Sequence, residues 1–300
     1  MNFGSEITKG ALAILAAAVI WGLQPIFYGF LLHVPASEIA AHRILWSFVF
    51  FAVLLTAQGR LNALSRAVMD PGQAGWTFAA AVLVSFNWFF FVYAIQIGQL
   101  TQSSIGYYIY PLVAVALGYA LFREHLPRLQ WMAVGLAGLG VVTLTYGLGT
   151  LPGISLSLAL TFAFYGVVKK KVRASPMVSV TAEVALLTPL VLVWIATATP
   201  LTHSSGTWGL LMLSGPLTGL PLILFAYASQ RVRLSTVGVV SYLNPTMQFL
   251  VAAWIFSEPV SVWHLIALLL IWSALALYSG VAIAQERARA VARVGTSGTN

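Results

Sequence analysis

The run "FVYAIQIGQLTQSSIGYYIYPLVAVALGYALFRE", Phe91 to Glu124, returns in altered form as "FAYASQRVRLSTVGVVSYLNPTMQFLVAAWIFSE", Phe225 to Glu258. At an offset of 134 residues and without a gap, nine of 34 positions are identical. Phe91, Tyr93, Ala94, Gln96, Leu100, Tyr108, Pro111, Phe122 and Glu124 meet Phe225, Tyr227, Ala228, Gln230, Leu234, Tyr242, Pro245, Phe256 and Glu258. Two random apolar runs share fewer. Earlier in each half the match weakens; Trp21-Gly22 lies near Tyr165-Gly166 at a different offset.

Composition fixes the solvent in which the duplicated unit folds. The chain has 300 residues, 60% hydrophobic and 7% charged. A soluble domain carries about 25% charged residues and needs them to face water. An integral membrane protein is the class that fits. With no cysteine there is neither a disulfide frame nor a thiolate metal site, and no cofactor or metal is expected. The net charge of +8 sits in short clusters between apolar runs, which argues for membrane orientation and against nucleic acid.

Apolar runs of about 18 to 24 residues recur along the chain, each long enough to cross a bilayer. Ten are read, near 10–32, 36–58, 74–97, 102–122, 129–148, 153–170, 177–199, 207–230, 235–256 and 261–284. The first is too long for a signal-peptide core and is kept as a span. The stretch from Gln58 to Ala74 has room for a small loop or a surface helix. The expected fold is all-α: a first five-helix repeat over 1–148, a second over 149–284, and a basic cytoplasmic tail over 285–300.

Basic residues assign the sides. Lys9 precedes the first span, and Arg60 and Arg66 follow the second. Arg123 and Arg128 follow the fourth, and Lys169, Lys170, Lys171 and Arg173 the sixth. Arg231 and Arg233 follow the eighth, and Arg287, Arg289 and Arg293 the tenth. The other five loops hold none, an alternation that predicts cytoplasmic termini. Five spans per repeat is odd, so the second repeat enters from the opposite side. Inverted-topology repeats place a binding site near the midplane and support alternating access.

On these residues the chain resembles the drug/metabolite transporter superfamily, specifically its EamA branch. "LGYALFREHLPRLQWMAVGLAGLGVV" and "VAAWIFSEPVSVWHLIALLLIWSALAL" resemble that branch's signature, with Glu124 and Glu258 closing the fourth helix of each half. "IWG", "EIAAHRILWSF", "FNWFFFVYAI", "IGYYIYPLV", "FAFYGVVKKK" and "LSTVGVVSYLNPT" resemble its RarD-like subgroup, named for chloramphenicol sensitivity. The resemblance implies a multi-pass carrier of small organic solutes in the bacterial inner membrane, connected with antibiotic response. It also implies that spans one to four and six to nine surround the cavity while five and ten stand outside. Small multidrug-resistance relatives carry a glutamate within their first helix; this first span has no acid, so their proton mechanism does not transfer.

A charge inside a span is the strongest pointer to a site, because arginine at membrane depth costs at least ~2.5 kcal/mol. Of fifteen basic residues, Arg43 alone falls on the uncharged side and inside a span. It reads either as snorkelling to the outer interface beside Glu38 and His42 or as an anion-binding residue facing a cavity. Glu183, in the repeat-related seventh span, is the candidate proton carrier, with a cap near the basic cluster as the alternative. His42 is a second titratable candidate. Asn87, Trp88, Tyr108, Tyr242 and Asn244 are amides, phenols and an indole that line a cavity or cross-link helices. Trp21 and Tyr165, related by the repeat, are candidates to stack on a solute. Pro111 and Pro245 share a repeat position and read as paired kinks or hinges. "GLAGLG", Gly135 to Gly140, reads as close helix packing or a weak dimer face.

No HExxH, Gly-rich phosphate loop or paired intramembrane aspartates occur, which argues against an enzyme. The expected partners are a small-molecule substrate, a coupling proton and membrane lipid, in a monomer or weak homodimer. A lipid-headgroup flippase and a channel-like facilitator are the alternatives.

Overall fold

In lipid each backbone N–H and C=O needs an internal partner, so an apolar chain has helices as its simplest solution. The computed structural model describes residues 3–122, 128–198, 203–229, 231 and 240–297. Its helices are α1 (Phe3–Gly29), α2 (Ala36–Ala57), α3 (Leu61–Met69), α4 (Pro71–Gln96), α5 (Leu100–Phe122) and α6 (Arg128–Leu148). They continue with α7 (Gly153–Lys169), α8 (Pro176–Ala198), α9 (Ser205–Ser229), α10 (Leu243–Trp254) and α11 (Val262–Ser297).

The protein is an α-helical integral membrane protein. Among the described residues, eight helices are long and apolar enough to cross a bilayer. Ten spans were expected, and the two differences have local causes. The sixth, α7, is apolar but has only 17 residues. Of the ninth, α10 contributes 12 residues, and residues 232–239 lie outside the described set, as does Glu124. Residues 240 and 241 are helical, a turn falls at Tyr242, and Pro245 stands in the first turn of α10. A proline without N–H suits the start of a helix. Pro111, by contrast, lies within continuous α5. The expected pair of equivalent kinks is therefore one interior proline and one helix start. α3 is the surface helix allowed for after Gln58: it is amphipathic and buries none of its residues.

Chain reversals are short. Gly59 (φ 66°) and Gly98 (φ 65°) end α2 and α4 in the left-handed conformation. The following amides reach back, Arg60 N–H to Leu55 O (2.8 Å) and Gln99 N–H to Ala94 O (2.8 Å), closing the last turns.

α1, α2, α4, α5 and α7 to α10 form the body of the bundle, with α2 against α8 and α9, α5 against α7 and α10, and α1 against α9 and α10. α6 packs chiefly on α11. Small residues permit the closest approaches, as expected where lipid supplies no hydrophobic drive between helices. A Cβ on Gly215 would lie 2.3 Å from the Trp46 carbonyl, and one on Gly106 2.7 Å from Ser155 O. In "GLAGLG" only Gly140 packs this way, against Ile271 and Ala267; Gly135 and Gly138 meet nothing within 4 Å.

The two ends of the bundle differ. At one end His33 Nε2 meets Thr207 Oγ1 (3.1 Å) and the Gln96 amide donates to Val34 O. Nearby, Ser257 takes φ 52° and turns Glu258 back onto α5. The Glu258 carboxylate accepts from Leu100 N (2.6 Å), Thr101 N (2.7 Å) and Thr101 Oγ1 (2.7 Å). It thus caps α5, one helix of the first half, with an acid of the second. The connections at this end carry no Lys or Arg. At the other end Arg60 donates to Ser175 Oγ (3.0 Å) and Arg173 N–H to Gln73 Oε1 (3.0 Å), and Arg66 lies beside them.

Two stability tests follow from these contacts. Gly215→Val should lower unfolding stability in detergent by about 1–3 kcal/mol, because backbone cannot move aside; Gly75→Ala, which meets nothing within 4 Å, is the neutral comparison. Glu258→Ala should cost roughly 2–4 kcal/mol by stranding two buried amides. Glu258→Gln should recover part of that, read by thermal unfolding.

Candidate functional site

The first two turns of α2 carry Glu38, His42 and Arg43 into the interior, where they are 1%, 1% and 3% exposed. Arg43 does not snorkel. Its guanidinium carbon lies 4.7 Å from the Trp88 ring centre and 5.5 Å from that of Tyr28. Nε and Nη1 find no acceptor among the described residues. Glu38 turns elsewhere: its carboxylate meets His203 Nε2 at 2.5 Å. Neither nitrogen of His42 has a partner among the described residues, and its ring sits edge-on to Trp208 at 5.2 Å.

The energies make Arg43 unusual. Removing a cation from water costs several kcal/mol after relaxation. A desolvated cation–π contact returns about 2 kcal/mol. Two aromatic faces therefore reduce the deficit without cancelling it, and the unmet N–H groups are those a carboxylate or similar anion satisfies.

Around this group, Tyr28 and Phe91 meet edge to face at 6.0 Å, and Phe91 and Tyr107 at 6.1 Å. Asn87, one residue before Trp88, is fully engaged. It donates to Leu158 O and Thr161 Oγ1 (3.0 Å each) and accepts from the Tyr107 hydroxyl (3.0 Å). Asn87 thus ties α4 to α5 and α7 and fixes the neighbouring Trp88.

Glu183 is 0% exposed, yet its carboxylate is well supplied. Lys169 Nζ approaches Oε1 at 2.6 Å, Ser179 Oγ donates to Oε1 at 2.8 Å, and Tyr165 OH donates to Oε2 at 3.0 Å. Lys169 also donates to Ser179 Oγ and lies 5.5 Å over the Tyr165 ring. Lys169 is 24% exposed, so the cluster connects a buried acid to the basic end. Ile44, Val84, Trp88 and Val184 form one apolar cluster, with Tyr165 packed on it. Trp88, which faces Arg43, and Tyr165, which bonds Glu183, thus share one apolar cluster.

The other predicted residues lie apart. Tyr108 OH meets Thr246 Oγ1 at 2.5 Å and its ring faces Trp272 at 6.0 Å. Tyr242 packs on the same cluster as Tyr108. Asn244 accepts from Gln248 Nε2 (2.8 Å), whose Oε1 faces Ser103 Oγ (3.5 Å). These residues contribute to the α5–α10 seam. Trp21 sits 6.0 Å from Phe225, between α1 and α9. The structure thus brings Arg43, Trp88 and Asn87 together, pairs Glu183 with Tyr165 in a second group that shares an apolar cluster with Trp88, and gives Tyr108, Tyr242, Asn244 and Trp21 other neighbours.

Sequence reasoning missed Tyr28, His203 and Lys169, while Tyr107 is among the phenols of the fourth span. Tyr28 is one aromatic in a chain with 13% aromatic residues, and nothing local distinguishes it. Lys169 reads as one of a loop cluster, although it sits at the last turn of α7 and turns inward.

Comparison with known proteins places this architecture. The EamA-like transporter family model matches twice, over residues 8–146 and 152–280. The chain is 36% identical to Protein RarD of Salmonella typhi over 288 residues, covering 94% of this chain and 98% of that one. It is 35% identical to Protein RarD of Escherichia coli over 288 residues, covering 94% and 97%. It is also 35% identical to the transporter YojE of Bacillus subtilis over 291 residues, covering 95% and 98%. One solved structure, described as the crystal structure of a protein, shares the fold with a TM-score of 0.61 at 17% identity, covering 91% of this chain and 98% of its own. The chain is a membrane protein of the transporter type and belongs to the EamA-like transporter family, with RarD proteins among its relatives.

Proposed function

We propose that the protein is a secondary carrier of small organic solutes in the bacterial inner membrane, working by alternating access between two inverted five-helix halves. The substrate carries a carboxylate or comparable anionic group and an apolar body, as amino acids and amphiphilic metabolites or drugs do. Arg43 holds the anionic group, and Trp88, Tyr28 and Tyr107 hold the apolar part. The observation that carries this reading is the buried Arg43 guanidinium, flanked by aromatic rings, with Nε and Nη1 unpartnered.

Two features support the inverted arrangement. The last turn of α1 and the first turn of α7 belong to the same end of the bundle, since Val34 lies by Gln96, and Ser155 Oγ donates to Gln102 O (2.7 Å). The packing also keeps its pattern when each half is exchanged for the other: α5 on α7 mirrors α10 on α1, and α1 on α9 mirrors α7 on α4. The hydrogen-bonded end, free of Lys and Arg, then faces outward and the basic end faces the cytoplasm.

Glu183 is the proposed coupling group. Lys169, Ser179 and Tyr165 hold it in place, and exchange of a proton there would release Lys169 from the pair and loosen α7 against α8. This gives the Lys169–Glu183 pair a switching role in place of a purely structural one.

The reading is checked by a thermal-shift screen of the purified protein against amino acids, aromatic carboxylates and chloramphenicol. A true ligand should raise the midpoint in the wild type and lose at least about tenfold in apparent affinity with Arg43→Ala, the value of one charged hydrogen bond. An unchanged shift in Arg43→Ala removes Arg43 from the site. For coupling, Glu183→Gln in proteoliposomes should abolish uptake driven by a pH gradient while leaving exchange between equal solute pools. Uptake that still follows the gradient would exclude Glu183.

A further inference from the structure

A concavity of about 410 Å³ opens at the basic end, outside the groups described above. Its wall comes from α3, the first turns of α4 and α8, and the segment 172–175. Three arginines stand around it: Arg60 before α3, Arg66 within α3, and Arg173 from the segment after α7. Its one acid, Asp70, is committed elsewhere, because Oδ1 accepts from Gly72 N (2.9 Å) and caps α4. Arg60 meets only a neutral partner, Ser175 Oγ, at 3.0 Å, and Arg66 Nε donates to Asn62 O at 3.2 Å. No carboxylate lies within ion-pairing distance of these guanidiniums among the described residues. Hydroxyls and an amide continue inward as Ser175, Gln73, Thr77 and Ser179.

Ordinary orientation charges point from loops into water. Here separate elements converge on one hollow, and the helix that supplies Arg66 is amphipathic and connects two candidate spans. α3 turns Ala63, Arg66 and Ala67 toward the concavity, while Leu61 (44% exposed) and Met69 (75% exposed) remain uncovered. An amphipathic helix of this kind rests at the headgroup level of the bilayer, where juxtamembrane basic groups meet phosphate. Guanidinium forks match the oxygens of a phosphate better than ammonium groups do.

We propose that this concavity is a phosphate-binding site, with Arg66 and Arg173 as its principal ligands and Arg60 closing its edge. The phosphate belongs either to an anionic phospholipid headgroup in the leaflet at the basic end or to a soluble phosphate compound from the adjoining aqueous phase. Its floor includes Ser179, the residue that bonds Glu183, so occupancy bears on the Lys169–Glu183 cluster as well as on α3.

The test uses the full chain in nanodiscs and in detergent. In nanodiscs, phosphatidylglycerol is compared with phosphatidylcholine by thermal unfolding; in detergent, inorganic phosphate is titrated against chloride at equal ionic strength. A midpoint raised by phosphatidylglycerol alone identifies the lipid as the source, and one raised by inorganic phosphate identifies the soluble source. Arg66→Ala and Arg173→Ala should each weaken the stabilising ligand about tenfold, with partial recovery in the corresponding lysine variants. Arg128→Ala removes one charge at the start of α6 and should change nothing. If Arg128→Ala weakens the ligand as much as the pocket variants do, the effect is net charge and the site is refuted. It is equally refuted if neither ligand shifts the wild type, or if the shift survives in both Arg66→Ala and Arg173→Ala.

Discussion

A guanidinium sealed from water without an acidic partner organises the interior of this protein. Aromatic faces soften the cost of burying Arg43 but leave donor groups unmet, and a stable bundle with no other task has no reason to keep such a group. The surrounding contacts hold it there. Asn87 spends all its hydrogen bonds on α5 and α7, which fixes Trp88 against the guanidinium. Glu38, the nearest acid in sequence, is held by His203 and so does not neutralise Arg43. The site is preorganised by what it is denied as much as by what it contains.

The second charged centre follows the opposite rule. Glu183 is as buried as Arg43 but surrounded by donors, one of them the cation Lys169. A satisfied buried pair adds little net stability against an apolar replacement, yet breaking it by removing one partner is costly. That asymmetry suits a switch: the pair is secure while intact and strongly perturbed once either charge is lost. The apolar cluster of Ile44, Val84, Trp88 and Val184 includes the ring that faces Arg43 and packs against the Tyr165 that bonds Glu183, so movement of α8 against α2 and α4 offers a mechanical connection between the two centres.

Much of the fold was legible because the membrane reduces it to length, polarity and charge. Apolar runs gave the helices, eight of which, among the described residues, are long and apolar enough to cross a bilayer. The short α7 and the turn at Tyr242 were less legible, because an apolar run does not show where its helix breaks; Pro245 marks the place only once the turn before it is seen. Within the site, Arg43 and Glu183 stood out as charges in apolar runs. Their surroundings did not. His203 lies 165 residues from Glu38, and Glu258 caps α5 from 158 residues away. Such pairings depend on tertiary geometry that periodicity does not encode. The residues set apart from Arg43, Tyr108 and Asn244 among them, were chosen for polarity at membrane depth; Tyr108 meets Thr246 across the α5–α10 seam, whereas Asn244 meets Gln248 one turn along the same helix.

The central claim is that the buried Arg43 guanidinium is reached by turns from both faces of the membrane. The chain contains no cysteine, so one introduced thiol reports without background. Trp88→Cys places it against Arg43, and Leu144→Cys, at a fully buried position of the α6–α11 layer, supplies the dry comparison. The account predicts that a membrane-impermeant maleimide labels Trp88→Cys in right-side-out and in inverted vesicles while Leu144→Cys stays unlabelled in both. Labelling of Trp88→Cys from one face only, or from neither, would contradict it.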